Sequence, residues 1–159
     1  MYKRLLIPLD GSELAEAILP FAEHVAGPLD AEVVLVRVVE AVSAAEAIAL
    51  AGVVAPDTFA VREMEAKRYL HEVEQRLSKK GLRVRTRIAL GPPAEAILGA
   101  IQTSAVDLVA MTTHGRSGLG RALFGSVAES VLRASPVPVL LIRTPAKRKP
   151  ATEEEQEAQ

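Results

Sequence analysis

The sequence predicts an α/β fold: one domain built on an open, parallel, five-stranded sheet with helices on both faces. Three observations carry this expectation. Short apolar runs recur along the chain at Leu5–Leu9, Glu32–Val39, Val84–Ile88, Asp107–Met111 and Pro136–Ile142. Stretches with apolar residues at helical spacing separate most of them, and glycine or proline breaks divide the segments. Strands alternating with helices imply right-handed crossovers and parallel pairing. At 159 residues the chain suits a single domain with a full core, and we assign that domain to residues 1–144.

The elements follow in order. Leu5-Leu6-Ile7-Pro8-Leu9 is uninterruptedly apolar, as in a strand buried on both faces. Asp10-Gly11-Ser12 breaks it, with Ser12 as an N-cap and Glu13 and Glu16 in the first helical turn. Leu14, Ile18, Ala22 and Val25 then trace a helical face; Pro20 is expected to kink or shorten that helix and Gly27-Pro28 to stop it. Five valines and a leucine make Glu32–Val39 the second strand. Residues 40–57 are Ala-rich and nearly uncharged, and fit a partly helical excursion, a lid or a partner-facing segment. Asp57 or Thr58 can cap a long helix to about Lys80, with Ala66, Leu70, Val73 and Leu77 as its buried stripe and Gly81 as its stop.

Val84, Thr86 and Ile88 alternate with Arg83, Arg85 and Arg87, which describes an edge strand with one wet face. Gly91-Pro92-Pro93 leads into a helix carrying Ala94, Ile97, Leu98 and Ile101. Asp107–Met111 is the fourth strand, and a glycine-rich loop follows it. Leu123, Phe124, Val127 and Val131 mark the buried face of the next helix, and Pro136–Ile142 is the fifth strand. Residues 145–159 are Pro, Lys, Arg, Glu and Gln with little to bury, and are expected to be a disordered charged tail.

Composition narrows the function classes. A net charge of −1 gives no global field towards nucleic acid or an anionic membrane. Aromatic residues at 3%, with no Trp, argue against base-stacking surfaces. With no Cys, thiol catalysis and Cys-based metal sites are excluded, and three isolated His form no recognisable metal site. The opening apolar run is too short for a signal-peptide core, so the expected location is cytoplasmic.

In parallel sheets ligands sit at the carboxyl ends of strands where the winding reverses. The connections after the first and fourth strands look like site-builders, and the strand order 3-2-1-4-5 brings both to one crevice. That order leaves Val139-Leu140-Leu141-Ile142 at an edge with no charge to discourage pairing. A homodimer through the fifth strand, at Val137, Val139 and Leu141, is therefore expected, with Pro138 suited to an edge. The tail folding back over that edge is the other arrangement.

The chemistry candidates cluster in the same two connections. Gly115 and, after nine intervening residues, Gly125-Ser126 can turn backbone N–H groups towards a phosphate, or can be a tight turn with a close helix contact. Asp10 can meet a ribose hydroxyl, an adenine amine or the hydration shell of a metal, or can make turn hydrogen bonds that support Ser12. His114 is a possible general base or a loop hydrogen-bonding group; Arg116 a phosphate partner or a solvated cation. His24 and His71 fall on helices. There is no phosphate-loop NTPase motif, Gly118-Leu-Gly120 lacks the third glycine of a dinucleotide fingerprint, and Gly115-Arg-Ser117-Gly118 is one residue short of a nucleophile elbow.

Pro8-Leu-Asp10-Gly-Ser12, Leu35-Val-Arg37-Val38, Met111-Thr-Thr-His114-Gly115-Arg116-Ser117-Gly118, Gly125-Ser126-Val127-Ala-Glu129 and Pro136-Val-Pro138-Val together resemble the universal stress protein family, over nearly the whole chain to Arg143. The resemblance implies a Rossmann-like fold of the adenine nucleotide α hydrolase kind, a dimer through the last strand and, in one branch, ATP held by a Gly-x2-Gly-x9-Gly-Ser/Thr motif. Gly115, Gly125 and Ser126 match that motif, and Thr112 stands at its first glycine. By the same match Pro8, Leu9, Asp10, Ser12 and Val38 frame adenine and ribose, while Met111, Thr112, Thr113, His114, Gly115, Arg116, Ser117, Gly118, Gly125, Ser126 and Val127 hold the triphosphate with Mg²⁺. The expected function is a dimeric, ATP-binding, stress-linked regulator with little turnover. A slow ATPase or phosphotransferase, with His114 or Asp10 orienting water, and a nucleotide-free interaction module are the alternatives.

Overall fold

The computed structural model describes residues 2–40, 58–113 and 124–143. Expectations for residues 41–57, for the loop from His114 to Gly118 and on to residue 123, and for the tail beyond residue 143 lie outside the described residues.

Along the chain the elements are β1 (Arg4–Pro8), α1 (Glu13–Glu16), α2 (Leu19–Leu29), β2 (Glu32–Val39), α3 (Thr58–Ser78), β3 (Val84–Leu90), α4 (Pro93–Thr103), β4 (Leu108–Thr112), α5 (Ser126–Ala134) and β5 (Val139–Ile142). All five strands are parallel, in the order β3-β2-β1-β4-β5. The apolar runs make the three inner strands because the side chains at their centres need no water on either face. The pleat then sorts them into two layers. Leu5, Ile7, Val33 and Leu35 pack with Ile18 and Ala22 and with Leu70, Val73 and Leu77 of α3 on one face. Leu6, Val34, Val36, Val109 and Met111 pack with Ile97 and Ile101 of α4 and Val131 of α5 on the other. Each such side chain taken fully from water contributes about 1.5–3 kcal/mol, so the inner strands dominate cohesion.

The arginine stripe of β3 lies at the edge and is spent on fastening. Arg85 pairs with Glu32 at 3.1 Å, and Arg87 donates to the Ser104 hydroxyl at 3.0 Å. On β5 every residue is half-buried, one face against each layer. Among the described residues no helix is long and apolar enough to cross a membrane.

Three local expectations are corrected and a fourth is sharpened. The helix before Pro20 is short, as expected, ending at Glu16 without a kink, and Pro20 stands in the first turn of a second helix, α2, where a missing N–H costs nothing. Gly27-Pro28 does not stop α2, which runs on to Leu29. The terminator is Asp30, in the left-handed region at φ 48°, whose N–H reaches the carbonyls of Ala26 and Gly27. The fourth strand begins one residue later than expected, because the Asp107 carboxylate accepts the backbone N–H groups of Lys3 at 2.7 Å and Arg4 at 3.0 Å. Phe124 precedes α5 and is 37% exposed, so the buried face of that helix is Ala128 and Val131 with Val127 beside them.

Candidate functional site

The register of β1 explains why a crevice opens. Pairing with β2 continues to Pro8 opposite Val36, and Leu9 then donates to the Val36 carbonyl at 2.8 Å. Pairing with β4 stops two residues earlier, at Leu6 opposite Val109. Successive N–H groups of a strand point to opposite sides; since that of Leu9 points to β2, the position of Pro8 points to β4 and has no proton to offer. The strands part there. A cavity of about 340 Å³ lies over the carboxyl ends of β1, β2 and β4, within the usual range for small-molecule sites.

Ten of the expected residues line it: Pro8, Leu9, Asp10, Val38, Met111, Thr112, Thr113, Gly125, Ser126 and Val127. The two site-building connections thus meet at the carboxyl edge of the sheet, where Asp10 and the start of α5 border one cavity although their helices pack on opposite faces. Ser12 does not line the cavity. Its hydroxyl accepts the N–H of Ala15 at 3.1 Å as the cap of α1, and its own N–H and O–H donate to Asp10 Oδ1 at 2.9 and 2.6 Å. The turn reading of Asp10 holds, since its Oδ1 organises the turn, and the residue also borders the crevice. His114, Gly115, Arg116, Ser117 and Gly118 lie outside the described residues.

At the other end, Thr112 and Thr113 are 5% and 3% exposed, the buried polar residues of the described chain. Thr113 donates its N–H to Ile142 at 3.0 Å and accepts the N–H of Gly125 at 2.7 Å, so the chain leaving β4 and the chain entering α5 are held together. Gly125 caps α5 in an extended conformation, and no side chain caps the helix from that position. The N–H groups of the first turn, at Ser126, Val127 and Ala128, have no carbonyl within their own helix to bond. They border the crevice with the positive end of the helix dipole, which is the arrangement that receives an anion.

The sequence reasoning missed Ala15, Arg37, Glu40, Pro93, Ile97 and Ala128 among the lining residues. Arg37 had a visible signal, a single charge inside the apolar β2. Its guanidinium carbon lies 4.8 Å from the centroid of the Tyr69 ring. It also fills the space that a side chain on Gly11 would take: a Cβ there would come within 2.8 Å of Nη1. Gly11 is required twice over, since its φ of +84° suits only glycine comfortably. Burial first, and then the Glu16 carboxylate, hold the Tyr69 phenol far above its ordinary range. The ring under Arg37 is therefore neutral at physiological pH, and its hydroxyl is buried beside the Glu16 carboxylate without a well-aligned hydrogen bond among the described residues.

A family model described as the universal stress protein family matches residues 1–143. Universal stress protein MJ0531 of Methanocaldococcus jannaschii is 33% identical over 147 residues, covering 92% of this chain and 85% of its own. Universal stress protein YxiE of Bacillus subtilis is 30% identical over 150 residues, covering 90% of this chain and all of its own. Among solved structures, hypothetical protein MJ0577 superposes with a TM-score of 0.80 at 29% identity, covering 92% of this chain and 99% of that one. A universal stress protein in complex with cAMP (TM-score 0.67, 20% identity, 91% and 98% covered) and an Arabidopsis thaliana family protein with AMP bound (0.66, 13%, 94% and 96%) share the fold. On the sequence match, the sheet order and the position of the crevice, the chain belongs to the universal stress protein family.

Proposed function

We propose that the crevice binds ATP with Mg²⁺, and that the protein acts as a dimeric regulatory nucleotide binder with little turnover. The observation that carries this reading is the start of α5, where no described side chain caps the helix, tied by Gly125 to the buried Thr113 and bordering one crevice with Asp10. Backbone N–H groups there suit a phosphate, and the apolar walls from Pro8, Val38 and Met111 suit a base. Thr112, which stands where the family motif has its first glycine, brings a hydroxyl as a further donor. Mg²⁺ is commonly held through phosphate oxygens with one or two carboxylates, a role Asp10 fits. Two structural relatives carry cAMP and AMP, so adenine nucleotides are the natural first ligands to try.

Little turnover is expected because no cation clamps the phosphate end among the described lining residues, and positioning without charge stabilisation accelerates phosphoryl transfer weakly. The homodimer would form along β5, an apolar edge strand without a partner on its outer side among the described residues. The test is amide NMR. Addition of MgATP should shift the signals of Thr113, Ser126 and Val127 saturably, and unchanged signals at millimolar nucleotide would remove the reading. A phosphate-release assay separates binder from enzyme, since turnover faster than about 1 s⁻¹ is ordinary for an enzyme and would favour the ATPase alternative.

A further inference from the structure

The lining holds two carboxylates, Asp10 and Glu40, and one cation, Arg37, among the described residues. Arg37 is half-buried, yet it forms no ion pair with a described carboxylate, whereas Arg4, Arg76, Arg83, Arg85 and Arg133 all do. What it has instead is the Tyr69 ring and the bare backbone at Gly11. A cation over an aromatic ring gains about 0.5–1 kcal/mol where water still reaches it, less than a charge-assisted hydrogen bond supplies. Its fork is thus held in place while its charge is left for something else.

The position says what that is. Arg37 stands two residues before the end of β2 and Glu40 one residue past it. In doubly wound nucleotide folds this strand end is where ribose is read: an acid there takes the 2′-hydroxyl, and a nearby arginine takes a 2′-phosphate. Here β2 and β4 are two inter-strand spacings apart, about 10 Å, with β1 between them. A nucleotide whose 5′-phosphates rest on the start of α5 lays its nucleoside across β1 towards β2, so a second phosphoryl group on the ribose would reach Arg37.

We propose that Arg37, held between Tyr69 and Gly11, is a specificity-determining residue that selects adenine nucleotides carrying a second phosphate on the ribose. The inference rests on the nucleotide reading of the crevice and adds to it a ribose-phosphate subsite that ATP itself leaves empty. Glu40 opposes that phosphate and favours the free hydroxyl, so the two side chains set the preference between them.

The experiment compares the affinities of adenosine 5′-phosphate, adenosine 2′,5′-bisphosphate and adenosine 3′,5′-bisphosphate by calorimetry. In the wild type one bisphosphate should bind roughly tenfold more tightly than the monophosphate, as one charge-assisted fork contact provides; which isomer wins reports where the ribose lies. Arg37→Gln should bring the ratio to about one, Arg37→Lys should keep part of it, and Glu40→Gln should increase it. Equal affinities in the wild type, or a preference that survives Arg37→Gln in a folded protein, would overturn the proposal while leaving nucleotide binding standing. If neither the monophosphate nor either bisphosphate binds at millimolar concentration, the nucleotide reading itself fails and takes this one with it.

Discussion

Replacing Gly11 with alanine tests the packing of Arg37 with an internal control. Gly11 and Gly81 share a φ of +84°, but a Cβ on Gly81 would meet nothing within 4 Å, whereas on Gly11 it would lie 2.8 Å from Arg37 Nη1. A left-handed alanine costs about 1–2 kcal/mol, offset by about 0.4–1 kcal/mol from the stiffer unfolded chain. Gly81→Ala should therefore lose about 1 kcal/mol. Gly11→Ala adds the displacement of the guanidinium from Tyr69. An arginine tip can swing aside, so the added loss is the cation–π contact alone, about 0.5–1 kcal/mol. The assay is urea unfolding of both variants, alone and in an Arg37→Ala background. We expect Gly11→Ala to be the worse of the pair, and the excess to shrink to within about 0.3–0.5 kcal/mol when Arg37 is absent. Equal losses in the native background, or an excess untouched by Arg37→Ala, would refute the reasoning.

Other outcomes follow from the same geometry. Tyr69→Phe should leave stability equal or higher at neutral pH, because the hydroxyl it removes is buried without a well-aligned hydrogen bond among the described residues. The raised phenol pKa also has a pH consequence: above about pH 10 the unfolded chain releases this proton and the folded chain keeps it, so alkaline conditions favour unfolding. The urea midpoint should fall as pH is raised through that region, and fall less in the Phe variant. Ser12→Ala removes a helix cap and should cost about 0.5–2 kcal/mol; unchanged stability with lost nucleotide affinity would return Ser12 to the ligand site. Leu35→Ala, at a fully buried position of the central layer, should cost about 2–5 kcal/mol in the same assay. Leu141→Asp should yield a monomer in sedimentation if β5 forms the dimer, and an unchanged sedimentation coefficient would count against that edge.

Sheet order was legible because it follows from a rule about whole connections. Two turns rich in glycine and small polar residues had to share a crevice, and only some strand orders allow that. The fully apolar strands were equally plain, since a run such as Val-Val-Leu-Val has no alternation to reconcile with a wet face. What escaped was set by tertiary context. Gly27-Pro28 reads as a stop, yet a proline in the last turn forfeits a single hydrogen bond that the packed face of α2 readily outweighs. Phe124 fits a helical period but precedes the helix, because Gly125 is fixed to Thr113 and α5 starts only after it.

Ser12 was rightly read as a cap and also assigned to the ligand, and only the geometry separates the two roles. Arg37 showed as a lone charge inside an apolar strand, but nothing in β2 alone says that its side chain borders a cavity, and Glu40 carried no signal. Pro93 and Ile97 reach the crevice from neighbours far along the chain, which no local pattern records.

The central claim is that the start of α5 and the end of β1 together bind an adenine nucleotide. Calorimetric titration of the wild type and Gly125→Val with MgATP tests it most directly. The account predicts saturable binding at one site per chain in the wild type and its loss in the variant, which crowds the α5 cap at the cavity wall. No heat from the wild type at millimolar MgATP, or undiminished binding by Gly125→Val, would contradict it.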